Sequence, residues 1–433
     1  MRKHLSFTIS SPLKFKEALL EWSKKNQKIV WLDSNGHSDE YGSFDAVLAI
    51  SEQTDKSRIG LKNIDEINDF IDKKNDWLFG YFTYDVKNEL EDLVSNNYDG
   101  LGFPKIHFFQ PEKIIALKGN QVNFLYLDDY AQEIEGDYTQ IEAIKKSQKV
   151  EKEQKQSVHI KLRIHKDAYF EKLDKLLSHI HRGDVYEANF CQEFYSEGTS
   201  IDALYTYKNL NTISKPPFAS FMRLDDKYLM CGSPERYLKR NGQTVVSQPI
   251  KGTAARGLNE VEDKKLKIQL GNDEKERTEN IMITDLVRND LSKSALKGSV
   301  EVKEFCKVYT FEQVHQMIST IVSKVPKDKN PVELIQETFP MGSMTGAPKI
   351  SAMKIIEELE ETKRGLYSGT VGYFDPNGNF DFNVVIRSIL YNATKKYVSF
   401  SVGSAITAKS NPEKEYQECL LKAKAMRSVL EGS

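Results

Sequence analysis

The sequence is poor in cysteine: four in 433 residues, with no CxxC pair among them. Zinc ribbons and redox dithiols are thereby excluded, and such sparse use fits a reducing compartment. It also lacks an excess of basic charge. The 61 Lys and Arg are matched by 63 Asp and Glu, for a formal net charge of −2. Nucleic-acid binders are usually basic, so no nucleic-acid partner is expected. An anionic substrate would have to be captured by a local site and not by a global field. No apolar run approaches the length of a membrane span. The opening stretch MRKHLSFTISSPLKFKEALLEW lacks the apolar run of a signal peptide. A cytoplasmic protein with no membrane partner is the expectation.

What is present is ordinary for a large soluble chain: 39% hydrophobic and 29% charged residues, enough to bury a sizeable core. The length allows roughly two or three domains. The stretch 145–157, KKSQKVEKEQKQS, has no aromatics and almost no apolar residues, and reads as a solvated linker. It divides an N-terminal domain, 1–150, from a second domain, 158–433. All three tryptophans (Trp22, Trp31, Trp77) precede it. Aromatic and β-branched runs predict strands at 28–33, 45–50, 77–84, 121–127, 218–224, 226–231, 244–250, 367–375, 383–391 and 397–402. Helical periodicity marks 13–25, 64–74, 166–182, 347–361 and 411–430. Asn411 and Pro412 supply a cap and a first-turn proline for the last of these. Strands and helices interleave without a regular βαβ beat, so the class is α+β.

Two acid pairs carry the first chemical signal. Glu276 and Glu279 lie in EKERTENIMITDLVRND, and Glu415 and Glu418 in NPEKEYQECLLKAKAM. Each pair is spaced i, i+3 and so shares a helix face. Four inward carboxylates would repel one another, and a hard divalent cation such as Mg²⁺ would relieve that repulsion. Spacing alone is equally satisfied by glutamates on solvent-facing helix surface. The loop GSMTGAPK (342–349) lacks the Gly-Lys-Ser/Thr ending of a phosphate loop. It reads instead as a tight turn into a helix beginning near Pro348, with backbone amides and the Thr345 hydroxyl free to face a ligand.

Read together, GDVYEANF (183–190), SPERYL (233–238), QPIKGT (248–253), ENIMITDLVRNDL (279–291), VHQMIST (314–320), FPMGSMTGAPKISAM (339–353), RGLYSGTVGYF (364–374), VVIRS (384–388), VGSAI (402–406) and EYQECLLKA (415–423) resemble the chorismate-utilising family in order and over nearly all of 160–430. WLFGYFTYD (77–85) adds a weaker match. The resemblance implies the anthranilate synthase component I-like fold, with large, mostly antiparallel sheets flanked by helices, and chorismate as substrate. It implies Mg²⁺ held directly by Glu279 and Glu418, with Glu276 and Glu415 acting through water. Arg387 resembles the arginine that holds the enolpyruvyl carboxylate, with Tyr367 as companion. His315 resembles a histidine near the ring; outside the family it would read as hydrogen-bonded core. Gly403 would let the backbone approach the substrate. The family's usual GxGI is here interrupted by Ser404-Ala405. Lys422, one turn after Glu418, would reach a substrate carboxylate or pair with that glutamate.

Three positions point to a branch of the family. Lys251, in QPIKGT, resembles the lysine of aminodeoxychorismate synthase large subunits, where anthranilate synthases typically have alanine. Partly desolvated beside a bound cation, it would lose its proton near neutral pH and act as a nucleophile on chorismate. Glu235, in SPERYL, would be the general acid for the departing hydroxyl, its pKa raised by enclosure. Glu187 stands where isochorismate and salicylate synthases have a water-activating lysine, which argues against water as nucleophile. No glutaminase-type GxCxGxQ elbow surrounds any cysteine. Ammonia is therefore expected from a separate glutamine amidotransferase subunit, and the product would be 4-amino-4-deoxychorismate for 4-aminobenzoate and folate synthesis.

Overall fold

The protein is described by a computed structural model over residues 1–52, 63–147, 157–312 and 314–432. Most of the polar stretch 145–157 lies outside the described residues.

Two large sheets dominate, and every strand-to-strand pairing in them is antiparallel. The larger runs from Arg2–Thr8 through Gln121–Leu127, Lys113–Lys118, Ala46–Ser51 and Lys28–Asp33. It continues without a break into Phe218–Leu224, Lys227–Ser233, Ser388–Asn392, Tyr397–Thr407 and Glu187–Ser196. The smaller runs from Ile250–Ala255 through Val314–Lys324, Thr244–Gln248, Arg236–Asn241, Phe380–Asn383 and Thr370–Phe374 to Leu78–Phe82 and Ile106–Phe109. Each sheet therefore takes strands from both sides of the 145–157 stretch. Lys28–Asp33 pairs with Phe218–Leu224, and Leu78–Phe82 with Thr370–Phe374.

The alternation of side chains explains the layers. Along Lys28–Asp33, Ile29 and Trp31 join a core shared with the helices Pro12–Ser23, Lys166–Arg182 and Pro412–Glu431. Val30, between them, points the other way into a core shared with the smaller sheet. The central strands of the larger sheet are thus buried on both faces, which is why Lys28–Asp33 and Ala46–Ser51 read as near-continuous apolar runs, whereas Arg2–Thr8 and Gln121–Leu127 at its edge alternate.

One expected strand, 383–391, is two. Phe380–Asn383 belongs to the smaller sheet and Ser388–Asn392 to the larger. The chain changes sheets between them, turning at Arg387 with a φ of 52°. A second change runs from Lys227–Ser233 to Arg236–Asn241, carrying Pro234 and Glu235. The two crossings are tied together: the Val384 amide donates to the Glu235 carbonyl at 3.0 Å, and the Gly232 amide to the Arg387 carbonyl at 3.1 Å. Corners of this kind, where strands pass between packed sheets, bring Glu235 and Arg387 to the same edge of the sandwich. Among the described residues no helix is long and apolar enough to cross a membrane.

Candidate active site

Lys251 and Glu187 come from different sheets, on Ile250–Ala255 and Glu187–Ser196. They meet with Nζ 2.9 Å from the Glu187 Oε1, in a pair whose carboxylate is 1% exposed. The other oxygen, Oε2, has no hydrogen-bond partner among the described residues. Burial pulls the Lys251 pKa down, but the charges of Glu187, Glu279 and Glu235 outweigh it, and the ammonium is held above the usual lysine range. The acids around the ammonium stabilise its charge; the loss of a proton near neutrality is expected of a lysine beside a bound cation, whose field would oppose theirs. Changing Glu187→Gln should lower the Lys251 pKa. An NMR titration of ¹³C-methylated lysines would read this, and an unmoved Lys251 resonance would show that the pair is not what holds the proton.

Glu235 is 3% exposed. Burial raises its pKa to about 7, while the Ser343 hydroxyl, the Lys251 charge and the Ile250 amide pull it partly back. Ser343 donates to Oε1 at 2.7 Å. This is the raised carboxyl that its place in SPERYL implied. The Ser343 partner comes from the GSMTGAPK loop, so that loop supports the acid as well as turning the chain.

Arg387 is half-buried at its sheet crossing, with a pKa lowered by burial. Its guanidinium has no hydrogen-bond or ion-pair partner among the described residues. Guanidinium groups away from solvent are normally paired, so this one is open for an anion. The Tyr367 hydroxyl accepts from Cys191 Sγ at 3.7 Å. The Thr345 hydroxyl instead turns back on its own loop, donating to the Met341 and Gly342 carbonyls. His315 is buried with both ring nitrogens engaged, Nε2 with Asp263 at 2.9 Å and Nδ1 with Thr310 at 3.1 Å. Among the described residues no hydrogen bond or ion pair joins it to Lys251 or Glu235. A side chain at Gly403 would place its Cβ 2.6 Å from Cys191 Sγ, so packing against the neighbouring strand already requires glycine there.

The acid pairs face one another across the helices Glu274–Ser292 and Pro412–Glu431. Burial lifts the Glu279 pKa to about 7 and raises that of Glu276, to which the Glu418 charge adds. Glu418 goes the other way: burial works against it, but Lys422 brings its pKa below the ordinary range. Lys422 pairs with Glu418 Oε1 at 2.5 Å and donates to the Gly403 carbonyl at 3.0 Å. Ser404, in the stretch that departs from the family's GxGI, donates to Glu415 Oε2. Gly252, at φ +95°, sits where a Cβ would be 3.2 Å from Glu276 Oε2, so the lysine's neighbour is packed against this acid.

The donor set fits a hard divalent ion: only carboxylate oxygens, partly buried, with Glu279 Oε1 lacking a hydrogen bond. Among the described residues, however, no three acidic, histidine or cysteine side chains are gathered closely enough to hold a metal. What bridges the two helices is Lys275, whose Nζ is 3.2 Å from Glu415 Oε1 and 3.7 Å from Glu279 Oε1. Neither Lys275 nor the Glu187–Lys251 pair was expected from sequence. The i, i+4 spacing of Lys275 and Glu279 was the available signal for the first; nothing local could have given the second.

The structure thus places an enclosed carboxyl and a guanidinium without a side-chain partner among the described residues where the sheets cross, and two acidic helices bridged by Lys275. The chain belongs to the family of chorismate binding enzymes, which it matches over residues 26–428. It is 35% identical to an anthranilate synthase component I-like protein of Synechocystis, over 82% of this chain and 73% of the relative. It is 37% identical to aminodeoxychorismate synthase component 1 of Escherichia coli, over 61% of this chain and 58% of the relative. Its fold is that of anthranilate synthase component I from Streptococcus pneumoniae, at a TM-score of 0.74 and 23% identity over 98% of this chain and 92% of that one.

Proposed function

We propose that the protein is the large subunit of an aminodeoxychorismate synthase, aminating chorismate at C4 for 4-aminobenzoate and folate synthesis in the cytoplasm. The names of its relatives include both this activity and anthranilate synthase, so they do not choose. The observation that carries the choice is Lys251: a buried amine in the PIKGT stretch, enclosed with Glu187, Glu235 and Glu279.

Arg387 binds one substrate carboxylate through its open guanidinium. Glu276, Glu279, Glu415 and Glu418 would hold a magnesium ion, which would neutralise and orient the other carboxylate. The Lys251 ammonium gives up its proton to Glu187, the base in contact with it. The free amine then attacks C2. The ring double bond shifts, and the C4–O bond breaks as Glu235 protonates the departing hydroxyl to water. Ammonia adds at C4, the double bond shifts back, and Lys251 leaves C2 as a neutral amine. The new C4 ammonium returns a proton to Glu235. Ammonia comes from a separate glutamine amidotransferase subunit.

Incubation with chorismate, Mg²⁺ and ammonium chloride should give a product that yields 4-aminobenzoate only after a lyase is added, identified by mass. Direct formation of anthranilate and pyruvate would assign the protein to the other branch.

A further inference from the structure

The acidic helices contain a cation of their own. Lys275 stands in the first turn of the Glu274–Ser292 helix, where the macrodipole favours acids and disfavours an ammonium. Its side chain leaves its own helix to reach Glu415 on the other, at 3.2 Å, and lies 3.7 Å from Glu279. Exposure is unequal: 39% for Lys275, against 8% and 2% for the Glu279 and Glu415 side chains. The carboxylates are fixed, since Glu415 is also held by Ser404. The lysine alone can swing out to water by turning its side chain. An ammonium and a dication cannot share the same two carboxylates, because their repulsion at contact distance is strong in a partly buried site.

We propose that Lys275 is a resident counter-ion that a divalent cation displaces, so that its ion pairs to Glu415 and Glu279 and the bound metal are mutually exclusive. This rests on the metal reading given under the proposed function. Lys275 keeps the two acidic helices together before the ion arrives and sets the concentration at which the ion binds. Removing it lowers the stability of the ion-free protein and tightens ion binding.

Mg²⁺ binding is measured by calorimetry, without chorismate, on wild type, Lys275→Met, Lys275→Arg and Glu279→Gln. Lys275→Met is expected to bind about tenfold more tightly, a coupling of ordinary size, and Lys275→Arg close to wild type. Wild-type affinity in Lys275→Met overturns the inference. A second measurement needs no variant: acetylation of the wild-type Lys275 amine, read by peptide mass spectrometry, should rise several-fold when Mg²⁺ is added. Unchanged or reduced labelling overturns it equally. If wild type and Glu279→Gln bind the ion alike, or wild type binds none, the metal reading itself falls and takes this inference with it. Binding that Glu279→Gln loses but Lys275→Met leaves unmoved refutes the displacement alone.

Discussion

Lys251→Ala should lose chorismate amination by about a thousandfold or more, the scale of removing a nucleophile from a site that otherwise keeps its binding groups. The wild-type enzyme, mixed with chorismate and Mg²⁺ without ammonia, should gain the mass of chorismate less one water on Lys251, and the variant should not. The control is dictated by the fold. Glu187 is buried, and Lys251 is the only side chain paired with it among the described residues. Removing one partner of a buried pair typically costs about 3–5 kcal/mol, because the other charge is left alone. A poorly folded Lys251→Ala would therefore lose activity for the wrong reason. Combining it with Glu187→Gln removes both charges and should restore the melting temperature without restoring the reaction. Turnover near wild type in either variant would rule out the covalent route.

How far this site was legible in the sequence follows from which contacts are local. The helical spacing of Glu276 with Glu279 and of Glu415 with Glu418 is set by chain geometry alone, and both pairs fall on helices as expected. The Asn411 cap accepts from the Lys414 amide at 3.1 Å, again a contact within one turn. The strand 121–127 has the bounds that its aromatic and β-branched run gives, and the helix 166–182 those that its periodicity gives. Failures begin where a side chain's partner lies on another element. The lowered pKa expected of Lys251 supposes a bound cation beside it; what the sequence does not record is that Glu187, Glu279 and Glu235 surround the amine and, without that cation, raise its pKa. The run 383–391 looked like one strand because both of its halves are apolar, and nothing in that composition records a change of sheet. Ser404, within the interrupted GxGI stretch, has its partner Glu415 on another element, so the motif alone does not reveal the bond. The two-part reading at 145–157 rested on a real change in composition, but composition does not say which strands pair, and strands from both sides share each sheet.

Glu235→Gln should separate function from stability in a pH-dependent way. Without a proton to give to the C4 hydroxyl, the amination rate should fall by about 10²–10⁴-fold. The fold should gain. Glu235 has a pKa of about 7 in the folded protein against an ordinary 4.5, so the folded state holds its proton more tightly than the unfolded one. Below the unfolded value both states are protonated and the carboxyl carries no penalty. As pH rises through the folded value, the fold comes to bear a buried charge, and that stability is lost. The window is therefore about pH 4.5 to 7. At roughly 1.4 kcal/mol per pH unit, the full loss is on the order of 3 kcal/mol by pH 8. Glutamine has no such titration, keeps an oxygen to accept from Ser343, and should make the ligand-free variant more stable than wild type at pH 8 and nearly equal to it at pH 4.5. Part of the gain is offset because Lys251 loses one of the acids that hold its charge. Urea unfolding at the two pH values checks this. A stability difference that does not change with pH would mean that the carboxyl titrates as an ordinary glutamate. In that case it could not supply a proton near neutrality, and the enclosed corner where the sheets cross would not be what makes it an acid.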